Sequence, residues 1–226
     1  MAKLYIVATP IGNLDDITLR AIETLKEVDI VACEDTRQTL KLLNHLGVKK
    51  KLVSYHSQNE RSSAEKIIRI LEDGKNVALV SDGGTPGISD PGSLVVRLAR
   101  EEGFEVTPIP GVSAVTALMS VSGFPSNRFC FYGFLSPSRG KRRKQLKKIM
   151  QSESPALLFE SPFRVVSLLR EIVAIESERK VLVGREITKI HEEFFFGTAS
   201  LILTELEKRE KIRGEFCILI EGSKKV

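Results

Sequence analysis

Apolar runs that carry no charged side chain, at 4–8, 30–33 and 76–81, are separated by longer segments whose apolar positions recur every third or fourth residue. A charge-free run bounded by turn residues marks a strand covered on both faces, and the longer spacing marks the helix that covers it. With further runs at 51–54 and 105–109, the pattern predicts five strands alternating with helices over 18–28, 40–46, 62–72 and 92–102. Such alternation builds a mainly parallel sheet, and right-handed crossovers bring every loop that follows a strand to one edge.

The texture changes at Pro110, where PGVSAVTA opens a helix of small residues and leads into a turn predicted at 122–126. Beyond it, strands are expected at 129–134, 156–160, 180–185, 192–198 and 215–221, and helices at 142–150, 164–175 and 201–208. Strand clusters with fewer crossovers point to a mixed sheet. The expected fold class is α/β: two α/β domains, 1–115 and 116–226, the first sheet mainly parallel and the second mixed.

Composition changes this picture little. A chain of 226 residues with 42% hydrophobic content buries one large core or two modest ones. The first apolar run is closed at once by Pro10 and Gly12, too soon for a secretory signal. No later run reaches the roughly 18 apolar residues that a bilayer span requires. A cytoplasmic protein with no membrane partner is expected. Cys33, Cys130 and Cys217 are far apart, odd in number and in no Cys-x-x-Cys spacing, so they read as buried single thiols, and no metal is expected.

Charge matters through its distribution. The net +5 is modest, but seven of the ten residues in 139–148 are basic (Arg139, Lys141, Arg142, Arg143, Lys144, Lys147 and Lys148) and none is acidic. Clustered cations bind phosphates through counterion release, so the block reads either as a nucleic-acid contact or as a solvated helix face.

Three loops invite a ligand. ATPIGNLDDITLR (8–20) follows the first strand, where open α/β sheets bind ligands, although it carries neither a dinucleotide fingerprint nor a Walker lysine. Asp15 or Asp16 reads there as a helix cap. SDGGTPGISDPG (81–92) packs four glycines and two prolines directly behind an apolar strand. Glycine permits positive φ and close approach, proline holds the path rigid, and Asp82 and Thr85 offer polar atoms. The competing reading is a structural turn with Asp90 capping the next helix. PIPGVSA (108–114) ends the last strand of the same half and opens another helix, with Ser113 as binder or cap. His45, His56 and His191 stand in no nucleophile pattern, and no Gly-x-Ser-x-Gly elbow occurs, so a metal-free transfer reaction is favoured over hydrolysis.

Taken in order, ATPIGNLDDITLR, CEDTR (33–37), SDGGTPGISDPG and PGVSA (110–114) resemble the motifs of the tetrapyrrole methylase superfamily. They are closely similar to its branch that methylates the 2′-oxygen of a cytidine in 16S ribosomal RNA. FYGFL (131–135), FESPFR (159–164), REITK (185–189) and GEF (214–216) agree, so the resemblance spans nearly the whole chain. It implies a two-domain homodimeric enzyme that binds S-adenosylmethionine in a cleft between its domains and acts on 16S rRNA or the small ribosomal subunit. By position it implies a donor site of Pro10, Asp82, Gly83, Gly84, Thr85, Ile88, Ser113 and Ala114, with Phe159 and Gly184 from the second domain. Gly84 stands where many relatives have alanine, a small change in the pocket lining.

Asn13, Asp35 and Arg37, with Arg139, Lys141, Arg142 and Arg143 of the basic block, are the expected substrate contacts, and Glu34 joins them as an RNA or dimer contact. Lys189, Glu186 and Glu160 are the candidates to receive the proton of the ribose hydroxyl, each with a structural ion pair as its alternative. The competing functions are methylation of a small tetrapyrrole or a protein, and a non-catalytic RNA-binding module. The basic block favours RNA.

Overall fold

The computed structural model describes residues 2–125 and 127–223; Ser126, the last residue of the turn predicted at 122–126, lies outside them. The chain divides into two compact units, Met1–Ser113 and Ala114–Val226.

The first unit runs β1 (Lys3–Val7), α1 (Leu19–Glu27), β2 (Ile30–Cys33), α2 (Thr36–His45), β3 (Lys51–Ser54), α3 (Glu60–Glu72), β4 (Val77–Val80), α4 (Ser93–Glu101) and β5 (Glu105–Ile109). All its strands are parallel, in the order β3-β2-β4-β1-β5. Alternate residues of each strand face opposite layers. Leu4, Val77 and Leu79 pack with Ile67, Leu71, Val95 and Ala99 of α3 and α4. Val7, Val31, Ala78 and Val80 pack with Ala21, Leu25 and Leu43 of α1 and α2. The chain therefore leaves β1 towards one face and its neighbour β4 towards the other. A crevice opens at such a switch point, outside the carboxyl ends of the strands.

Helix starts differ from expectation for local reasons. The Thr18 hydroxyl accepts from the Ala21 amide and caps α1, so neither Asp15 nor Asp16 does; both sit in a 3-10 turn that Asn13 opens. α2 begins at Thr36, ahead of the expected 40, because the Asp35 carboxylate accepts from the Arg37 amide at 2.8 Å. α4 follows Gly92 with no side-chain cap, so Asp90 is free of that role.

The second unit contains α5 (Ala114–Ser120), β6 (Cys130–Phe134), α6 (Arg139–Gln151), β7 (Ala156–Glu160), α7 (Val165–Ile175), β8 (Lys180–Arg185), β9 (Glu193–Thr198), α8 (Ala199–Glu207) and β10 (Phe216–Ile220). Its sheet has the order β6-β7-β10-β8-β9, with β6 and β7 parallel and the other neighbours antiparallel. Leu146, Leu168, Ile172 and Ile202 of α6, α7 and α8 bury one face against Leu158, Val183 and Ile218. Cys33 and Cys217 are buried, and burial pushes the Cys217 thiol up to about 12. Cys130 departs from the expected buried thiols, because edge strand β6 leaves it exposed.

Candidate active site

The loops after β1, β2, β4 and β5 meet at the carboxyl edge of the first sheet, and backbone contacts hold them. Thr9 and Gly84 exchange two amide hydrogen bonds, at 2.9 and 2.8 Å, across an isolated antiparallel bridge. The Thr9 hydroxyl donates to the Ser81 carbonyl at 3.1 Å. A Cβ on Gly83 would lie 3.2 Å from the Pro10 carbonyl oxygen, and one on Gly111 would lie 3.0 Å from the Ala8 Cβ. These glycines let one loop lie on the next. Gly84 has φ +88°, where an L side chain is strained, so alanine here would cost backbone strain and not merely alter a lining.

The edge is acidic. Asp82 is exposed, and its Oδ1 accepts from the Asp35 amide at 3.0 Å. Burial raises the pKa of Glu34, and the charges of Asp82 and Asp90 raise it further. Burial also raises that of Asp90 beyond what its hydrogen bond with Ser81 lowers, and Asp82 adds to the rise. Crowded carboxylates of one sign favour a cationic ligand. Pro10 is buried, Thr85 half-buried and Ile88 exposed. Asn13 is exposed with its side chain accepting from Asp15, and Arg37 points into solvent at the start of α2. Ser113 closes the first unit, whereas Ala114 opens α5 of the second.

In the second unit three expectations change. The Glu160 side chain is fully buried and accepts from the Ser161 amide at 2.8 Å and from Arg164 at 3.1 Å, so it anchors a turn and is out of reach as a proton acceptor. Gly184 lies in mid-sheet, and a Cβ there would sit 2.8 Å from Ile187 and 2.9 Å from Leu118; protein atoms, not a ligand, fill the space it leaves. Arg142 is buried, with its guanidinium on Glu171 at 2.6 Å and on Ser167 at 3.2 Å, so it turns away from any polyanion. Arg139, Lys141, Arg143, Lys144, Lys147 and Lys148 remain exposed along α6. Phe159 packs on Phe131 and Phe134, with ring centroids 5.0 and 5.8 Å apart.

Lys189 and Glu186 do meet. The Lys189 ammonium donates to Glu186 Oε1 and Glu215 Oε2, both at 3.0 Å. Burial opposes the lysine charge, but these two bonds outweigh it and raise the pKa above the ordinary 10.5. Burial likewise opposes the Glu186 charge, and the bonds from Lys189 and the Glu215 amide outweigh it, holding Glu186 ionised below the usual range. The turn is strained: Glu186 has φ 50° and Thr188 φ 70°, and the buried Thr188 hydroxyl has no hydrogen-bond partner among the described residues. Gly214 and Glu215 complete this cluster. The motif GEF contained both, but only the fold shows that Gly214 is bare because Glu186 lies over it, 2.5 Å from where its Cβ would be.

The family model for Tetrapyrrole (Corrin/Porphyrin) Methylases matches residues 3–203. The chain belongs to this family. Among tetrapyrrole methylases and their kin it is 47% identical over 223 residues to the ribosomal RNA small subunit methyltransferase I of Thermotoga maritima, covering 98% of this chain and 99% of that one. It is 44% identical to the Bacillus subtilis protein of the same name, covering 99% of this chain and 76% of that one. In fold it is similar to uroporphyrin-III C-methyl transferase from Thermus thermophilus, solved with S-adenyl homocysteine, at TM-score 0.67 and 20% identity over 96% of this chain and 97% of that one. Among the described residues no helix is long and apolar enough to cross a membrane, and no group of three His, Cys, Asp or Glu is arranged to hold a metal ion.

Proposed function

We propose that the protein transfers a methyl group from S-adenosylmethionine to the 2′-oxygen of a cytidine ribose in the 16S RNA of the small ribosomal subunit. The observation that carries this reading is the 47% identity to a ribosomal RNA small subunit methyltransferase I across 98% of this chain and 99% of the relative. When bound, the donor supplies an electrophilic methyl group on a sulfonium centre.

The first unit's residues fit such a donor. One oxygen of the exposed Asp82 carboxylate is engaged by the Asp35 amide and the other makes no hydrogen bond among the described residues, so it accepts from an ammonium or a ribose hydroxyl. Glu34 and Asp90 bias the edge towards positive charge, which the donor has and its spent product lacks. Backbone groups of 83–85 and 110–113, with Pro10, Ile88 and Ser113, hold the remainder. Asn13 and Arg37 of the same edge, with the exposed cations of α6, contact the RNA.

A ribose hydroxyl is a poor nucleophile at neutral pH, so orientation carries most of the acceleration. Lys189 keeps its proton between two carboxylates and orients them; Glu186 is the ionised carboxylate left to accept the hydroxyl hydrogen. If lysine were the base, single-turnover rates would climb steadily as the pH approached its raised pKa. They should instead be flat in this respect from about pH 7 to about pH 9.

The deciding experiment maps ribose methylation in small-subunit RNA from cells with and without the protein. One cytidine should lose its 2′-O-methyl group in its absence and regain it when purified protein and donor are added. An unchanged map overturns the reading. The homodimer is part of the same proposal, and sedimentation should give twice the chain mass of 25.1 kDa.

A further inference from the structure

The motif FESPFR remains without a role once Glu160 is recognised as a buried anchor. What it anchors is an aromatic ring. Phe163 is 94% exposed, on a turn with little freedom. Glu160 holds that turn through the Ser161 amide and the Arg164 guanidinium. Arg164 also donates to the Leu135 carbonyl at 2.9 Å, tying the turn to the end of β6. There Phe134, 60% exposed, is braced against Phe159. Single exposed apolar residues are ordinary on protein surfaces, but a braced ring and a ring carried on a tied turn at one sheet edge are not scattered residues.

Cations flank the same edge. β6, β7 and β8 end there, and β10 begins there, with Phe216 opposite both Glu160 and Arg185. α6 leaves the end of β6 with Arg139 and Lys141 exposed in its first turn. The segment leading into β10 carries exposed Lys211 and Arg213, and Arg185 fixes the backbone by donating to the Arg213 carbonyl at 2.7 Å. These four cations form no ion pair among the described residues. Glu192, Glu210 and Glu215 are exposed acids nearby in the chain, still fewer than the cations, and Glu215 is already paired with Lys189.

We infer that Phe163, with Phe134, is a stacking platform for an unpaired base of the RNA strand, whose phosphates Arg139, Lys141, Lys211 and Arg213 neutralise. Aromatic faces between cations are what single-stranded nucleic acid requires, because every base has a π-face and every nucleotide a charge. A nucleotide drawn out of a helix for reaction at its ribose leaves unstacked neighbours, and such a ring compensates for the lost stacking. The inference rests on the RNA-methylating reading above and adds the residues that grip the strand.

The test measures binding of a fluorescein-labelled, cytidine-containing single-stranded RNA by anisotropy, together with methylation of small subunits, for Phe163→Ala, Phe163→Leu and Phe163→Trp. Alanine and leucine should both weaken RNA binding about tenfold or more, since leucine keeps apolar bulk but offers no ring, and tryptophan should bind as well as wild type. Calorimetric affinity for S-adenosylmethionine should be unchanged in all three, which also shows that they fold. Leucine binding like wild type, or all variants binding alike, overturns the platform. So does a change in sedimentation that accounts for the loss, because it assigns Phe163 to self-association. If the wild type itself methylates no small-subunit RNA, the functional reading fails instead.

Discussion

Asp90 and Glu34 hold charge where burial and like-charged neighbours make it costly, and that cost ties stability to ligand affinity. A carboxyl whose pKa is raised by folding binds its proton more tightly in the folded chain. Its contribution favours the fold fully below the ordinary value of 3.8 for Asp90 and is lost as the pH rises through the raised value. At neutral pH the ionised group therefore opposes folding. Asp90→Asn should unfold at a higher temperature than wild type without ligand, and the gap should close as the solution is acidified. The same change removes part of the field that attracts a cationic donor, so the Kd for S-adenosylmethionine should rise by roughly three- to tenfold. Calorimetric scanning and titration check the two halves separately. Unchanged donor affinity would remove Asp90 from the site and leave its strain unexplained by function.

The turn after β8 and the segment entering β10 act as one piece, through Glu186, Lys189, Gly214 and Glu215. Gly214 has φ +96°, and a Cβ there would meet the Glu186 carboxyl group. Gly214→Ala should lower unfolding free energy by about 1–3 kcal/mol, and methylation should fall with donor Kd unchanged, because Glu186 must leave its lysine. Urea denaturation and single-turnover kinetics measure both. Little of this was legible in the sequence. The strands at 51–54, 105–109, 156–160 and 180–185 were, because apolar runs flanked by turn residues have one economical solution. The first turns of α2 and α6 were not, because Thr36 and Arg139 precede any apolar periodicity. The loop 81–92 announced itself by glycine and proline. Arg142 was hidden within a run of cations, and its partner Glu171 lies 29 residues away on α7, a pairing no local pattern displays.

For the whole molecule, the net +5 is too small to make RNA affinity a bulk property, so the salt response should trace to particular side chains. Each phosphate contact on a single strand contributes about −0.7 to the slope of log affinity against log salt. Lys141 and Arg143 are exposed on α6, so Lys141→Ala with Arg143→Ala should flatten that slope by about 1 to 1.5 and weaken binding, with thermal stability unchanged. Arg142, between them in sequence, should do the reverse. Its guanidinium is buried on Glu171, and removing it strands a carboxylate in the interior, a loss of about 3–5 kcal/mol in unfolding free energy. Folded Arg142→Ala protein, compared well below its melting temperature, should keep the wild-type salt slope. Anisotropy titrations across a salt series, paired with denaturation of each variant, separate the two classes. If Arg142→Ala flattened the slope as much as its neighbours, its inward pairing would not persist in solution, and the basic helix would act as an undivided cationic rod.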